Sequence, residues 1–147
     1  MSLDYKRIVL AGVIGTAAMT MVGLWGAPMM GLAPMNPAVM LAGAMGGMIA
    51  AGWAAHLMIG ITLAIGYALV SAYLPGPPVV RGALFAVAPW LMAQLIVIPM
   101  MGMPIFSGSM MAAMGSLIGH LVYGATIGGL IGPHVKSHAT GKVRHTA

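Results

Sequence analysis

The sequence has almost no acidic side chains and no cysteine. Asp4 carries the only side-chain carboxylate, and charged residues make up 5% of the chain. Without cysteine, disulfide bridges, thiolate metal sites and cysteine nucleophiles are excluded. Without a second carboxylate, the chain cannot form the paired acid and base of many hydrolytic enzymes. We therefore expect a protein that is not an enzyme.

Charged side chains are absent over two long stretches. No Lys, Arg, Asp or Glu occurs from residue 8 to residue 80, or from residue 82 to residue 135. Apolar stretches of about 18 or more residues are typical of membrane spans. Because 61% of all residues are hydrophobic as well, the sequence predicts an integral membrane protein embedded in a lipid bilayer.

Proline and glycine divide these stretches into separate segments. We predict an all-α membrane protein with one membrane domain over residues 1–147. Its four transmembrane helices are expected at about residues 8–30, 48–73, 82–103 and 110–131. Gly43, Gly46 and Gly47 indicate a short interfacial or re-entrant piece before the second span. Residues 134–147 are predicted to form a polar cytoplasmic tail.

The positive charges predict the orientation of the spans. The net charge is +5, and the cations are Lys6, Arg7, Arg81, Lys136, Lys142 and Arg144. In a soluble protein this excess could indicate nucleic acid, but here every cation flanks a hydrophobic segment, so we expect no nucleic-acid partner. The positive-inside rule places both termini and the Arg81 loop in the cytoplasm, with the protein in the inner membrane of the cell.

Two short patterns occur twice, in the same order. Pro28-Met29-Met30-Gly31 returns 71 residues later as Pro99-Met100-Met101-Gly102. His56-Leu57-x-x-Gly60 returns 64 residues later as His120-Leu121-x-x-Gly124. The offsets differ by seven residues, which is extra length in the first outer loop. Two matches in the same order predict that the four transmembrane helices are two tandem repeated helical hairpins, inserted in the same direction.

Several further motifs accompany the repeat. They are Pro75-Gly76-Pro77-Pro78, Arg81-Gly82-Ala83-Leu84, Pro89-Trp90 and Gly119-His120-Leu121-Val122-Tyr123-Gly124. With these motifs and the Pro-Met-Met-Gly turns, the chain resembles a group of small four-span prokaryotic membrane proteins classed as a domain of unknown function. The resemblance covers about residues 8–131. It implies the four-span fold and brings no assigned activity.

The two intramembrane histidines are the candidate functional residues. Residues four apart share a helix face, which puts Gly52, His56 and Gly60 in one stripe and Ser116, His120 and Gly124 in another. Small residues beside an imidazole leave a shallow, flat trough of the shape that a porphyrin needs. If the two helices face each other, both rings lie at matching depth, as bis-histidine ligation of a b-type haem requires.

We therefore predict that His56 and His120 are axial ligands of a haem iron. Gln94 is the one strongly polar side chain of the third span, and it is predicted to orient one ring through the other imidazole nitrogen. The protein would then transfer electrons or serve as an accessory subunit of a respiratory-type membrane complex.

Two alternatives use the same sequence. Stripes of small residues also pack membrane helices closely, and histidine can act as a polar clasp between them, as in a structural or assembly subunit that joins a larger complex or a homo-oligomer without a cofactor. The chain also has 17 methionines. Their thioethers could bind Cu(I), with Met29, Met30, Met100, Met101 and Met103 as ligands, or could serve as flexible apolar filler.

Overall fold

The computed structural model describes residues 4–132 as a bundle of helices, with no strand among these residues. In chain order they are α1 (Tyr5–Met29), α2 (Pro37–Ala44), α3 (Ile49–Tyr73), α4 (Pro78–Met100) and α5 (Met110–Ile131). All except α2 are long and apolar enough to cross a membrane. The predicted all-α fold with four spans is confirmed. The predicted tail, residues 134–147, lies outside the described residues.

Local capping moves the ends of the helices from their predicted positions. α1 begins at Tyr5 because Asp4 caps it, its carboxylate accepting a hydrogen bond from the Arg7 amide at 3.2 Å. α4 begins at Pro78, since proline fits the first helical position. It ends at Met100 because Gly102 has a positive φ of 81°, which is not helical. The short piece predicted before the second span is α2.

The four long helices run alternately up and down, so the bundle has two distinct ends. The charged end contains Asp4, Lys6, Arg7 and Arg81, together with the tight turn between α3 and α4. The opposite end, called here the methionine end, contains α2, residues 30–36 and the 3₁₀ turn Ile105–Gly108. α3 and α5 both run from the methionine end towards the charged end.

Glycines set how closely the helices approach. α1 and α5 lie side by side at the centre, α3 packs against α1, and α4 packs against α5. A methyl group added at Gly124 would overlap the carbonyl oxygen of Gly82, and one added at Gly12 would lie 2.8 Å from the Cα atom of Ile61. Such backbone contacts are the usual way in which membrane helices associate.

The main cluster of buried hydrophobic residues lies towards the charged end of the bundle, and the methionine end is less tightly packed. Its buried residues are Ile8, Ala11, Ala64, Tyr67, Ala68, Tyr123, Ile127 and Ile131. α3 and α4 meet here, where the ring of Phe85 stands edge-on to Tyr67 with the ring centroids 5.6 Å apart. Beyond this contact α3 and α4 barely touch, because α1 and α5 hold them on opposite sides of the bundle.

The two Pro-Met-Met-Gly turns have the same local structure. A π-helical segment precedes each proline, at Val22–Gly26 and at Ala93–Val97. Such a segment accommodates a residue that has no N–H and whose ring crowds the preceding turn. Both helices then end in the same way, with the amides of Leu32 and Met103 donating to carbonyl oxygens five residues earlier.

The packing of the helices does not follow the same two-fold pattern. A two-fold axis relating the hairpins would give α3 and α4 the same close contact that α1 and α5 make. Instead, α1 and α5 pack tightly while α3 and α4 diverge. The tandem repeat therefore stays a prediction, and the divergence of α3 from α4 is the feature that leaves room for a cavity.

Overpacking the contact between α4 and α5 should destabilise the bundle. We expect Gly124→Ala to lower the free energy of unfolding by about 1–3 kcal/mol, because its methyl group would overlap the Gly82 carbonyl. Gly66→Ala is the matched control, since its methyl group would lie 3.7 Å from Phe85, an ordinary contact distance. Unfolding in mixed micelles, followed by circular dichroism, measures both variants. Equal stability of the two would contradict this account of the contact.

Candidate functional site

A cavity of about 750 Å³ lies among the four long helices, between Tyr123 and the methionine end of the bundle. Its size falls within the range of about 300–1,000 Å³ that is usual for small-molecule and cofactor sites. The lining is mostly apolar. The polar side chains that reach it are Thr16, Asn36, His56, Gln94, Ser107, Ser116, His120 and Tyr123. A few polar groups in an apolar cavity are the normal composition of such a site.

The cavity has a base and a roof, and residues of all four long helices line its sides. Gly60, Leu63 and Tyr123 line the base. Residues 34–37 and 39–41 line the roof at the methionine end, together with Met103 and Ser107. α2 is held over the cavity by its packing against α3. The Asn36 side chain caps its first turn, accepting a hydrogen bond from the Ala38 amide at 3.0 Å.

His56 projects from α3 into this space and is 7% exposed. Its Nε2 lies 3.0 Å from the hydroxyl oxygen of Thr20 on α1. That hydroxyl has one hydrogen and donates it to the Thr16 carbonyl oxygen at 2.8 Å. With its hydrogen directed to the Thr16 carbonyl oxygen, the hydroxyl accepts from His56, and on this arrangement we assign the proton of the ring to Nε2. Nδ1 is left with a lone pair.

His120 has the opposite tautomer. Its Nδ1 lies 2.9 Å from the carbonyl oxygen of Ser116, one turn earlier on α5. A carbonyl oxygen can only accept, so Nδ1 carries the proton and Nε2 carries the lone pair. Within residues 4–132 neither lone-pair nitrogen has a hydrogen-bond partner, and neither is sealed off by surrounding atoms. Each imidazole is thus fixed through one nitrogen and free at the other.

A hydrogen bond between α3 and α5 brings the two imidazoles to similar depth. The hydroxyl of Tyr123 donates to the Gly60 carbonyl oxygen at 2.6 Å. His56 lies one turn before Gly60 and His120 nearly one turn before Tyr123, on helices that run in the same direction. The two helices are diagonal neighbours that meet mainly at this bond. Both histidines line the same cavity above it.

Gln94 does not bond either imidazole, so the predicted role for it is wrong in this respect. The side chain is 1% exposed. Its amide nitrogen donates to the Ser116 hydroxyl at 3.0 Å, and its carbonyl oxygen accepts from the Ser107 hydroxyl at 3.2 Å. Gln94 therefore ties α4 to α5 and to the roof, because the hydroxyl groups within its reach belong to those elements. Thr20 and the Ser116 carbonyl orient the rings instead.

The predicted stripes of small residues divide between two roles. Gly60 and Ser116 line the cavity, whereas Gly52 and Gly124 do not. Gly52 packs against Ala38 and Ala42 of α2, and Gly124 packs against Gly82 of α4. The prediction that each whole stripe forms a flat trough is therefore corrected. One glycine of each stripe, Gly52 or Gly124, packs against another helix instead of lining the cavity.

The methionines predicted as copper ligands are not gathered in the cavity. Of the five, Met103 lines it together with Met19, Met35, Met40 and Met92, which were not in the predicted set. Met29 and Met100 are 89% and 81% exposed. Met30 and Met101 do not line it either. Among residues 4–132 no group of three His, Cys, Asp or Glu side chains could hold a metal ion.

The roof contains a strained turn. Phe106 and Ser107 have positive φ angles of 53° and 58°, a conformation that costs a non-glycine residue about 1–3 kcal/mol. Two contacts hold them: the hydrogen bond from Ser107 to Gln94, and the packing of Phe106 against Trp90 with ring centroids 6.2 Å apart. The Trp90 indole is fixed in turn by donating to the Ala113 carbonyl oxygen at 3.1 Å.

Comparison with known families places the chain in one of them. The model of a family of unknown function matches residues 4–140, nearly the whole chain. The chain belongs to DUF6789. Neither a curated protein nor a solved structure matches it. The DUF6789 match includes all five helices and both cavity histidines, and it assigns no activity to them.

Removing the Gln94 amide should loosen the strained turn of the roof. We expect Gln94→Leu to speed hydrogen exchange of the amides in residues 104–109 by about fivefold, because a typical hydrogen bond contributes roughly 1 kcal/mol. Exchange measured by mass spectrometry tests this, with residues 30–36 as an internal reference. Thr126→Val is the control, since it removes a hydroxyl bond to Val122 within α5. Unchanged exchange in the turn would show that Gln94 does not hold it.

Proposed function

We propose that the central cavity is a cofactor site and that the cofactor is haem b, held between His56 and His120. One observation carries the proposal: two imidazoles, at similar depth on different helices, line one apolar cavity of about 750 Å³, and each bonds the protein through only one of its nitrogens. Imidazole binds metal through either ring nitrogen, and the hydrogen bond at the other nitrogen sets which one is available.

His56 and His120 would hold the haem iron, whereas no charged side chain among residues 4–132 is available to hold the haem carboxylate groups. Nε2 of His120 and Nδ1 of His56 have the required lone pairs, and the Ser116 carbonyl and Thr20 hydroxyl hold the opposite sides of the rings. The roof offers only neutral polar groups, from Asn36 and Ser107. Within residues 4–132 every cation lies at the charged end. The haem carboxylates would therefore depend on neutral donors or on solvent.

Haem in this position would supply one-electron redox chemistry. The chain's own part is to supply two ligands, to fix their orientation and to keep water out with an apolar lining. Such a protein is an electron-transfer or accessory subunit of a respiratory-type membrane complex rather than an enzyme. The lipid-facing sides of the helices are the surfaces available to a larger partner or to a second copy of the chain.

The charge distribution supports an orientation for this proposed role. All cations among residues 4–132 lie at one end of the bundle, which the positive-inside rule assigns to the cytoplasm. The protein would then lie in the inner membrane of the cell. The cavity and its roof would face the opposite side.

The haem proposal predicts a coloured protein. The full chain, purified from haem-replete cells, should show a Soret peak and a reducible α-band. His56→Ala and His120→Ala should each abolish six-coordinate ligation and lose most of the pigment, because each removes one axial ligand. Met100→Ala is the control, since Met100 is exposed and does not line the cavity. A colourless wild-type preparation would rule out the proposal.

The methionines of the cavity favour Cu(I) as a second candidate. Five thioethers line the same space as the two imidazoles, and Cu(I) prefers such soft ligands. Under this candidate, Met35→Leu combined with Met103→Leu should weaken Cu(I) binding by about tenfold or more. Met29→Leu combined with Met100→Leu should leave it unchanged, because these side chains are exposed. Competition with a chromogenic Cu(I) chelator measures both, and equal affinities would contradict copper binding in the cavity.

A further inference from the structure

Within residues 4–132, Nδ1 of His56 and Nε2 of His120 have no protein partner, and their lone pairs determine which ligands could bind them. His56 donates from Nε2 to Thr20, and His120 donates from Nδ1 to Ser116. The nitrogens that remain are therefore both hydrogen-bond acceptors. A metal ion can satisfy them, and so can a molecule that carries two hydrogen-bond donors. A molecule with two carbonyl oxygens cannot, because acceptors would face acceptors.

Tyr123 and the Tyr67–Phe85 contact close the cavity at the charged end. At the methionine end α2 and the Ile105–Gly108 turn lie over it, and the lining side chains Val39 and Met103 are 50% and 37% exposed there. Between these limits α3 and α4 diverge. Ile59 on α3 and Met92 on α4 line the cavity and are 46% and 49% exposed. This gap faces the lipid, so a ligand that uses it arrives dissolved in the bilayer.

We propose that the cavity binds a membrane-soluble hydroquinone, which enters between α3 and α4. Its two hydroxyl groups donate to Nδ1 of His56 and to Nε2 of His120, its ring lies among the apolar side chains, and its hydrocarbon chain leaves through the gap. The hydroquinone is an alternative occupant of the cavity, because it and a haem iron would use the same two lone pairs, and its binding does not require haem.

The experiment compares three forms of one short-chain ring compound, namely the hydroquinone, its quinone and its dimethyl ether. Each is titrated anaerobically into the full chain reconstituted in vesicles, with binding measured by calorimetry. We expect the hydroquinone to bind at least about tenfold more tightly than either of the other two, because only it supplies donors to the two acceptor nitrogens. Equal affinity for all three compounds, or no binding, would overturn the proposal.

Substitution of the histidines tests the assignment of the acceptors. His56→Ala and His120→Ala should each weaken hydroquinone binding by about fivefold or more, and should reduce the preference over the dimethyl ether. Met100→Ala should change neither. If a histidine variant does not fold, the preference measured on the wild-type chain still decides the proposal. A preference that survives in folded histidine variants would contradict the two-acceptor assignment.

The lateral entrance has its own test, because the natural chain has no cysteine. Leu63→Cys places a single thiol at the base of the cavity. It should react at least about tenfold faster with an alkyl maleimide dissolved in the bilayer than with a charged, water-soluble maleimide, and hydroquinone should slow the reaction. Faster reaction with the charged reagent would show that the cavity opens through the roof instead. The absorption spectrum reports on haem independently of all three measurements.

Discussion

Water does not reach the hydrocarbon interior of a bilayer, so polar groups in the spans must find hydrogen-bond partners within the protein. Most of them do so with backbone carbonyl oxygens. Hydroxyl groups on α1 and α5 donate one turn back along their own helix, at Thr16, Thr20 and Thr126. Tyr67, Trp90 and Tyr123 donate to another helix. The imidazoles differ because a ring with two nitrogens needs two partners and, within residues 4–132, each finds one.

The shape of the cavity follows from where the backbones can approach. Glycines let α1 lie against α3 and let α4 lie against α5, while α1 and α5 close the centre. The tight turn after α3 brings Tyr67 against Phe85 and fixes α3 and α4 at the charged end. With three sides closed and one end fixed, the space left over lies between α3 and α4 near the methionine end. Both histidines face that space.

The four spans could be predicted because their signal is local and additive: long uncharged stretches separated by proline and glycine. The similar depth of His56 and His120 also followed from local spacing. The helix periodicity showed which residues share a face, but not which helix that face meets. Gly52 and Gly124 were therefore assigned to the site although they pack against α2 and α4. Thr20 was missed because a threonine in an apolar helix carries no signal until its partner on another helix is known.

The hydrogen bonds of the two histidines also bear on the alternative of a purely structural pair. A polar clasp needs only one hydrogen bond between two helices, and the bond between His56 and Thr20 joins α3 to α1 in this way. His120 bonds its own helix, and no bond joins the two rings. The other nitrogen of each ring has no protein partner among residues 4–132 and stays accessible. A hydrogen bond to the protein thus accounts for one nitrogen of each ring and leaves the second available to a ligand, whether that ligand is an iron or a pair of hydroxyl groups.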